Sequence, residues 1–112
     1  MREALIVSTA RTPIGKAYRG AFNATGGQAL GGHAIKHAVE RAGIEGGAVE
    51  DVYMGTALIQ GSTGMNFGRQ AAMKAGLPVS VPGMSLDRQC SSGMMAIASA
   101  AKAVITDGLN IA

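Results

Sequence analysis

Charged side chains, aromatic rings and cysteines are all scarce in this sequence of 112 residues. Asp, Glu, Lys and Arg together make up 15% of it, whereas about 25% is usual in a soluble domain. Aromatic residues make up 4% and tryptophan is absent, which argues against modules that bind single-stranded nucleic acid by stacking bases on aromatic rings. The single cysteine excludes an internal disulfide and a cysteine-rich zinc site.

Positive charge is in slight excess but is not concentrated anywhere. The net charge is +3, yet the basic residues are scattered without a run or stripe, so neither nucleic acid nor a membrane surface is an expected partner. The first residues lead directly into a strand-like segment and do not have the pattern of a signal or transit peptide. The apolar stretch 94–105 is interrupted by Lys102 and is too short to cross a bilayer. We therefore expect a cytoplasmic protein.

Glycine and hydrophobic residues are abundant. The 17 glycines are about twice the ordinary share of roughly 7%, and hydrophobic residues make up 47%, which is enough for a folded core. A small domain has a large surface and needs polar residues to cover it. So little charge in so short a chain therefore indicates one part of a larger structure.

Strand-like and helix-like segments alternate along the chain. Apolar runs with β-branched residues predict strands, and apolar residues at helical spacing followed by glycine predict helices. The predicted strands cover residues 4–9, 49–59 and 81–86, with a further strand beginning at 109–112. The predicted helices cover 28–42, 67–75 and 91–107. This order predicts an α/β fold, βαβαβα plus the start of a further strand, on a mainly parallel sheet.

Cys90 lies where the third predicted strand meets the last predicted helix. The free N–H groups and the positive dipole end of a helix start favour an anion, which for a thiol is the nucleophilic thiolate. Small neighbours leave room for a substrate carbonyl, and the Cys90 N–H could hold an oxyanion. The alternative is a structural thiol packed in the core, and the residues alone leave both open. The helix itself is apolar on all sides, which predicts that it is buried.

Two histidines, His33 and His37, are the only candidates for a base that could activate Cys90, and both lie far from it in sequence. Their spacing on the first predicted helix could also hold a metal ion. No Glu follows His33 and no third ligand is evident, so a pair on the helix surface is the favoured interpretation and no metal site is predicted.

Two arginines and one loop are further candidates near the site. Arg69 and Arg88 lie near predicted helix starts, and a buried ion pair with Asp87 or Glu50 is favoured over direct contact with a substrate. The loop 62–66 could line a substrate cavity or be an ordinary connection.

Four stretches of the chain, in the same order, resemble the thiolases (acetyl-CoA acetyltransferase or 3-ketoacyl-CoA thiolase). They are S-T-A-R-T-P-I-G at 8–15, G-A-F at 20–22, G-R-Q-A-A-M-K-A-G-L-P at 68–78 and R-Q-C-S-S-G-M-M-A-I at 88–97. Together they extend over nearly the whole chain, and 68–78 favours the thiolases over the related ketoacyl synthases. The resemblance is therefore to the N-terminal segment of a thiolase.

The resemblance implies a thiolase-like fold and a role for Cys90. In that family the cysteine is the nucleophile that takes an acyl group from a coenzyme A thioester, and its backbone N–H contributes to an oxyanion hole. The acyl group then passes to CoA, in thiolytic cleavage of a 3-ketoacyl-CoA, or to a second acetyl-CoA, in condensation. Acyl-CoA is the implied substrate, no bound cofactor is implied, and the complete protein is expected to be a homodimer or tetramer.

The resemblance also implies what residues 1–112 lack. The family's activating histidine, its second cysteine and most CoA contacts lie in sequence beyond Ala112, and neither His33 nor His37 matches them. We expect a partial N-terminal domain, with the remainder of that domain and the C-terminal domain absent, that has no thiolase activity by itself. The alternative is a non-catalytic, truncated thiolase-like module for assembly with a structural cysteine. A less favoured alternative is a thiol sensor or cysteine hydrolase.

Overall fold

Three α-helices and two short strands form the regular structure of the computed structural model, which describes residues 1–112. In chain order they are α1 (Gly27–Ala42), β1 (Tyr53–Gly55), α2 (Phe67–Lys74), β2 (Met84–Leu86) and α3 (Ser92–Lys102). The 3₁₀ turns Gly46–Ala48 and Gly61–Thr63 precede β1 and α2, and the π-helical segment Ala103–Asp107 continues α3. None of the helices combines the length and apolarity needed to cross a membrane.

The three predicted helices are confirmed, because their start and stop signals are local. α1 ends at Gly43, which takes the left-handed conformation (φ 69°) that glycine adopts without steric cost. α2 is preceded by Asn66, whose side chain accepts a hydrogen bond from the Arg69 N–H at 3.3 Å and so caps the helix. The last helical stretch ends at Gly108 (φ 88°).

The two strands confirm a parallel sheet, although each is only three residues long. Tyr53 lies opposite Met84 and Gly55 lies opposite Leu86, and α2 makes the crossover connection between the strands. The predicted ranges 49–59 and 81–86 are therefore right in place but too long. Pro82 lacks an N–H and shortens β2 at its start.

The strand predicted over 4–9 is not formed. These residues have no regular structure, and the side chains of Leu5, Ile6 and Val7 are exposed. An Arg41 N–H donates to the Thr9 carbonyl at 2.8 Å and ties the segment to α1. The prediction was wrong because a β-branched, apolar composition makes a segment suitable for a sheet but does not supply a pairing partner. No strand of this chain pairs with these residues.

The strand predicted to begin at 109–112 is also absent, but the segment is held beside the residue that precedes β1. The Glu50 N–H donates to the Ile111 carbonyl at 2.9 Å. The Glu50 carboxylate accepts from the backbone and side chain of Asn110 and from the Ile111 N–H. Hydrogen bonds from Asn110 and then from Ile111 hold the pKa of Glu50 below its usual value.

The core is small and lies between α1, α2 and the loops that flank the strands. Its five buried residues are Val49, Val52, Ala72, Leu77 and Val81. α3 lies outside this cluster and is covered on one face, with Met94 77% exposed and Ile97 59% exposed. The prediction of a buried α3 was therefore wrong for this chain, because only the β1 side of an all-apolar helix is covered here.

Candidate active site

Cys90 lies in the tight turn between β2 and α3, and its thiol is exposed. A thiol packed in the core was the structural alternative for this residue, and in this chain the thiol is not packed. Cys90 stands two residues before Ser92, the first residue of α3, and is exposed to solvent. A reagent or substrate can therefore reach the sulfur.

The turn takes an unusual backbone conformation immediately before the cysteine. Gln89 has φ 52°, a left-handed conformation that costs a residue with a side chain about 1–3 kcal/mol and is concentrated at functional sites. The Asp87 carboxylate stabilises it by accepting the Gln89 N–H at 2.8 Å. An acidic side chain that accepts from the amide N–H two residues further along is a turn-forming arrangement.

Two serines brace the same turn from the other side. The Ser92 hydroxyl accepts the Arg88 N–H at 2.8 Å and donates to the Gln89 carbonyl at 2.6 Å, and Ser92 is only 3% exposed. The Ser91 hydroxyl donates to the Arg88 carbonyl at 2.9 Å. From the sequence, these serines were expected only to be small neighbours of Cys90. The tendency of serine to bond nearby backbone groups could have indicated their bracing role.

The backbone N–H of Cys90 is left without an intramolecular acceptor. The next two amides differ, because Ser91 N–H donates to the Arg88 carbonyl at 3.2 Å and Ser92 N–H donates to the Gln89 carbonyl at 3.1 Å. A free N–H beside an exposed thiol is the arrangement that can hold the oxyanion formed when that thiol attacks a carbonyl.

Gly55 at the end of β1 sets how closely α3 approaches the sheet. A Cβ at Gly55 would lie 2.3 Å from the carbonyl carbon and oxygen of Ser92, far inside van der Waals contact. Only glycine therefore allows the start of α3, and the turn that carries Cys90, to sit directly on the strand. A glycine within a strand is a sequence signal of such a close approach.

Comparison with known proteins agrees with this arrangement of helices and parallel strands. A sequence model of the family described as "Thiolase, N-terminal domain" matches residues 4–112. The chain belongs to the thiolase family. Its two parallel strands and three helices are a partial α/β thiolase-like fold.

Individual thiolase relatives match almost the full length of the chain. It is 40% identical over 105 residues to a 3-ketoacyl-CoA thiolase of Bacillus subtilis (strain 168), covering 94% of this chain and 27% of the relative. It is 43% identical over 111 residues to an acetyl-CoA acetyltransferase of Cupriavidus necator, covering 99% and 28%. It is 44% identical over 105 residues to a mitochondrial acetyl-CoA acetyltransferase of Xenopus tropicalis, covering 94% and 24%. The chain thus spans about a quarter of the length of these relatives.

The arginines of this thiolase segment do not form the predicted ion pairs. Arg69 donates to the carbonyls of Val79 and Val81, the first at 2.9 Å, and thereby anchors the loop before β2. Arg88 is exposed and lies 3.9 Å from the Met95 sulfur. The ion-pair prediction was wrong because the acids are already engaged. Glu50 accepts from residues 110 and 111, and Asp87 accepts from Gln89.

The loop 62–66 serves to hold α2 against β2. The Asn66 side chain donates to the Gly83 carbonyl at 2.8 Å, and the Gly68 N–H donates to the Ser85 hydroxyl at 2.8 Å. A Cβ at Gly68 would lie 2.1 Å from the Met84 carbonyl oxygen. Asn66 and Ser85 are positioning residues that the sequence analysis missed, and the asparagine before an apolar helix was the available signal.

The histidines remain a pair on the surface of α1, as predicted. The ring centroids of His33 and His37 are 4.3 Å apart, and His37 Nδ1 lies 3.2 Å from a Glu40 carboxylate oxygen. Neither ring contacts Cys90, so neither serves as its base in this structure. No group of three or more potential metal-ligating side chains converges anywhere in the chain.

Proposed function

We propose that this chain is the nucleophile-bearing part of a thiolase that transfers acyl groups between coenzyme A thioesters. The observation that carries the proposal is the exposed Cys90 thiol next to its own unpaired N–H, on a turn braced by Asp87 and Ser92. The names of the relatives, 3-ketoacyl-CoA thiolase and acetyl-CoA acetyltransferase, support acyl-CoA as the substrate class.

The chemistry begins with attack of the Cys90 thiolate on the carbonyl carbon of an acyl-CoA. The carbonyl π electrons move onto oxygen, and the Cys90 N–H stabilises the resulting oxyanion. When acetyl-CoA is the donor, collapse of this intermediate expels the CoA thiolate and leaves the acetyl group as a thioester on Cys90. One thioester is exchanged for another, so no external energy source or bound cofactor is required.

The second half of the reaction frees Cys90 again. In thiolytic cleavage the Cys90 thiolate instead attacks the 3-keto carbonyl carbon of a 3-ketoacyl-CoA, and collapse breaks the C2–C3 bond and expels the acetyl-CoA carbanion, which takes up a proton to become acetyl-CoA. A CoA thiolate then attacks the acyl-Cys90 carbonyl and releases the shortened acyl-CoA. An acetyl-CoA carbanion attacking the same carbonyl completes condensation to acetoacetyl-CoA. Both routes regenerate the Cys90 thiolate, so the division into two steps lowers each barrier without consuming the enzyme.

The proposal includes the rest of the protein. The remainder of the N-terminal domain and a C-terminal domain would supply the base that neither His33 nor His37 provides, and the complete protein would be a homodimer or tetramer. The uncovered apolar face of α3, with Met94 and Ile97 exposed, supports burial of this helix by further protein. The cytoplasmic location stays a prediction.

The experiment that tests the proposal is mass spectrometry of the 112-residue chain after incubation with acetyl-CoA. We expect one acetyl group, mapped to Cys90 by peptide analysis and absent from a Cys90→Ser variant. A chain that stays unmodified would overturn the proposal and favour the non-catalytic module. Oxidation of Cys90 without acylation would overturn it in favour of a thiol sensor.

A further inference from the structure

The outer face of α1 carries two imidazole rings that the proposed acyl transfer does not use. His33 and His37 are one helical turn apart, with ring centroids 4.3 Å apart and ring planes inclined by 60°. The opposite face of α1 packs on α2, where a Cβ at Gly31 would lie 3.1 Å from the Ala71 Cβ. The histidine face is therefore the one that is open to water, and the His33 side chain is exposed.

A carboxylate one turn further along the helix orients one of the rings. His37 Nδ1 lies 3.2 Å from a Glu40 oxygen, which is the distance of an ion pair, so the carboxylate favours a proton on Nδ1. In the neutral ring, the lone pair then belongs to Nε2, because only one ring nitrogen carries a proton. A histidine that donates one nitrogen to a carboxylate and keeps the other free is the usual outer-shell arrangement of a metal-bound histidine.

The separation of the rings fits a shared metal ion. Zn–N bonds are about 2.0–2.1 Å long, so two nitrogens on one tetrahedral zinc stand roughly 3.3 Å apart. With the ring centroids 4.3 Å apart, rotation of the exposed His33 ring about χ2, a soft torsion, brings one of its nitrogens to that spacing from the His37 ring. The backbone of α1 already supplies the correct spacing, so binding requires no change of fold.

We propose that His33 and His37 form a two-imidazole site for Zn²⁺ on the outer face of α1. Glu40 holds the His37 ring, and water completes the coordination of the ion. Imidazole is a ligand that suits Zn²⁺ and its neighbours Cu²⁺ and Ni²⁺. Lys36 lies 3.9 Å from the other Glu40 oxygen and contributes no ligand. The site is independent of Cys90 and of the proposed acyl transfer.

The experiment is a titration of the ¹⁵N-labelled 112-residue chain with ZnCl₂, followed by NMR of the imidazole and backbone resonances. Cys90 is first blocked with iodoacetamide, because a thiolate would also bind the metal. We expect the His33 and His37 resonances to shift together and to saturate at one ion per chain. The variants His33→Gln and His37→Gln should each weaken binding at least tenfold, and Glu40→Gln should weaken it by about tenfold.

Lys36→Gln is the matched control, since it lies on the same face and contacts the same carboxylate, and it should bind Zn²⁺ as the wild type does. Histidine resonances that do not respond to Zn²⁺ would overturn the proposal, as would shifts that map to other side chains. Wild-type affinity in His33→Gln would also overturn it. His33→Gln should not disturb the fold, because the His33 side chain is exposed. A loss of Zn²⁺ binding in this variant therefore reports on the site and not on unfolding.

Discussion

At the scale of single residues, the properties expected of Cys90 depend on its neighbours in the turn. Gln89 is held in a left-handed conformation by hydrogen bonds from both sides, through Asp87 and Ser92. The Cys90 N–H has no acceptor within the chain, whereas the N–H groups of Ser91 and Ser92 each have one. The motif therefore works as a braced turn, in which the residues around the cysteine set the direction of its thiol and its amide.

Removal of the buried hydroxyl at Ser92 should damage this turn. Ser92→Ala loses one accepted and one donated hydrogen bond and leaves the part-buried Arg88 N–H without an acceptor, which costs about 1–3 kcal/mol. Urea unfolding followed by circular dichroism measures the loss. Ser91→Ala is the matched control, because its exposed hydroxyl makes a single bond. Equal effects of the two substitutions would contradict the bracing role of Ser92.

The hydrogen bonds that hold Asn110 and Ile111 to the Glu50 carboxylate should weaken in acid. Its pKa is lowered in the folded chain, so its contribution to stability is present above the unfolded value of 4.5 and is lost as the pH falls through the lower folded value. NMR of the Asn110 and Ile111 amides across this range should show detachment on acidification. Glu50→Gln should show no such step, and an unchanged acid transition in that variant would contradict the assignment.

At the scale of helices and strands, the sequence predicted what local signals determine. The three helices follow from the spacing of apolar residues and from local stop signals. Gly43 and Gly108, for example, directly follow the helical segments that they end. The strand at 4–9 failed because pairing depends on a distant partner, and none is present for those residues. Of the candidate site, the sequence indicated Cys90 by its place at a helix start, and its role stays a prediction, whereas the roles of Ser92 and Gly55 depend on contacts that only folding creates.

The packing of α3 on β1 should be intolerant of any side chain at Gly55. In Gly55→Ala the new methyl group would lie 2.3 Å from the Ser92 backbone, so α3 must move, and overpacking of this kind costs about 1–3 kcal/mol. Thermal unfolding measures the change. Gly93→Ala is the matched control, because a Cβ there meets nothing within 4 Å and alanine favours a helix. Destabilisation by Gly93→Ala as large as that by Gly55→Ala would contradict this account of the packing.

At the scale of the whole molecule, the low charge and the high content of small apolar residues correspond to surfaces that this chain does not cover. Only 12 of 112 residues are buried, and the apolar side chains of the 4–9 segment and of one face of α3 are exposed. This composition is what the proposed larger protein would need, with these surfaces in its interior. This agrees with relatives that are about four times as long.

The exposed face of α3 should make the 112-residue chain associate with itself, because contiguous apolar surface exposed to water favours association. The double variant Met94→Lys/Ile97→Lys should stay monomeric at concentrations where the wild type does not, as measured by sedimentation velocity. Its unfolding free energy should change little, since exposed positions contribute within about 0.5 kcal/mol. A monomeric wild type, or a double variant that associates equally, would contradict the prediction.

The central claim is that the braced turn makes Cys90 an acyl acceptor, and its most direct test is a comparison of rates. The rate of acetyl transfer from acetyl-CoA to Cys90, followed by mass spectrometry, is measured beside the rate for glutathione at the same pH. Alkylation of both thiols by iodoacetamide provides the reference, because that reaction forms no oxyanion. We predict that Cys90 exceeds glutathione in acylation by a larger factor than in alkylation. Equal factors, or a Cys90 that acetyl-CoA does not acylate, would contradict the account.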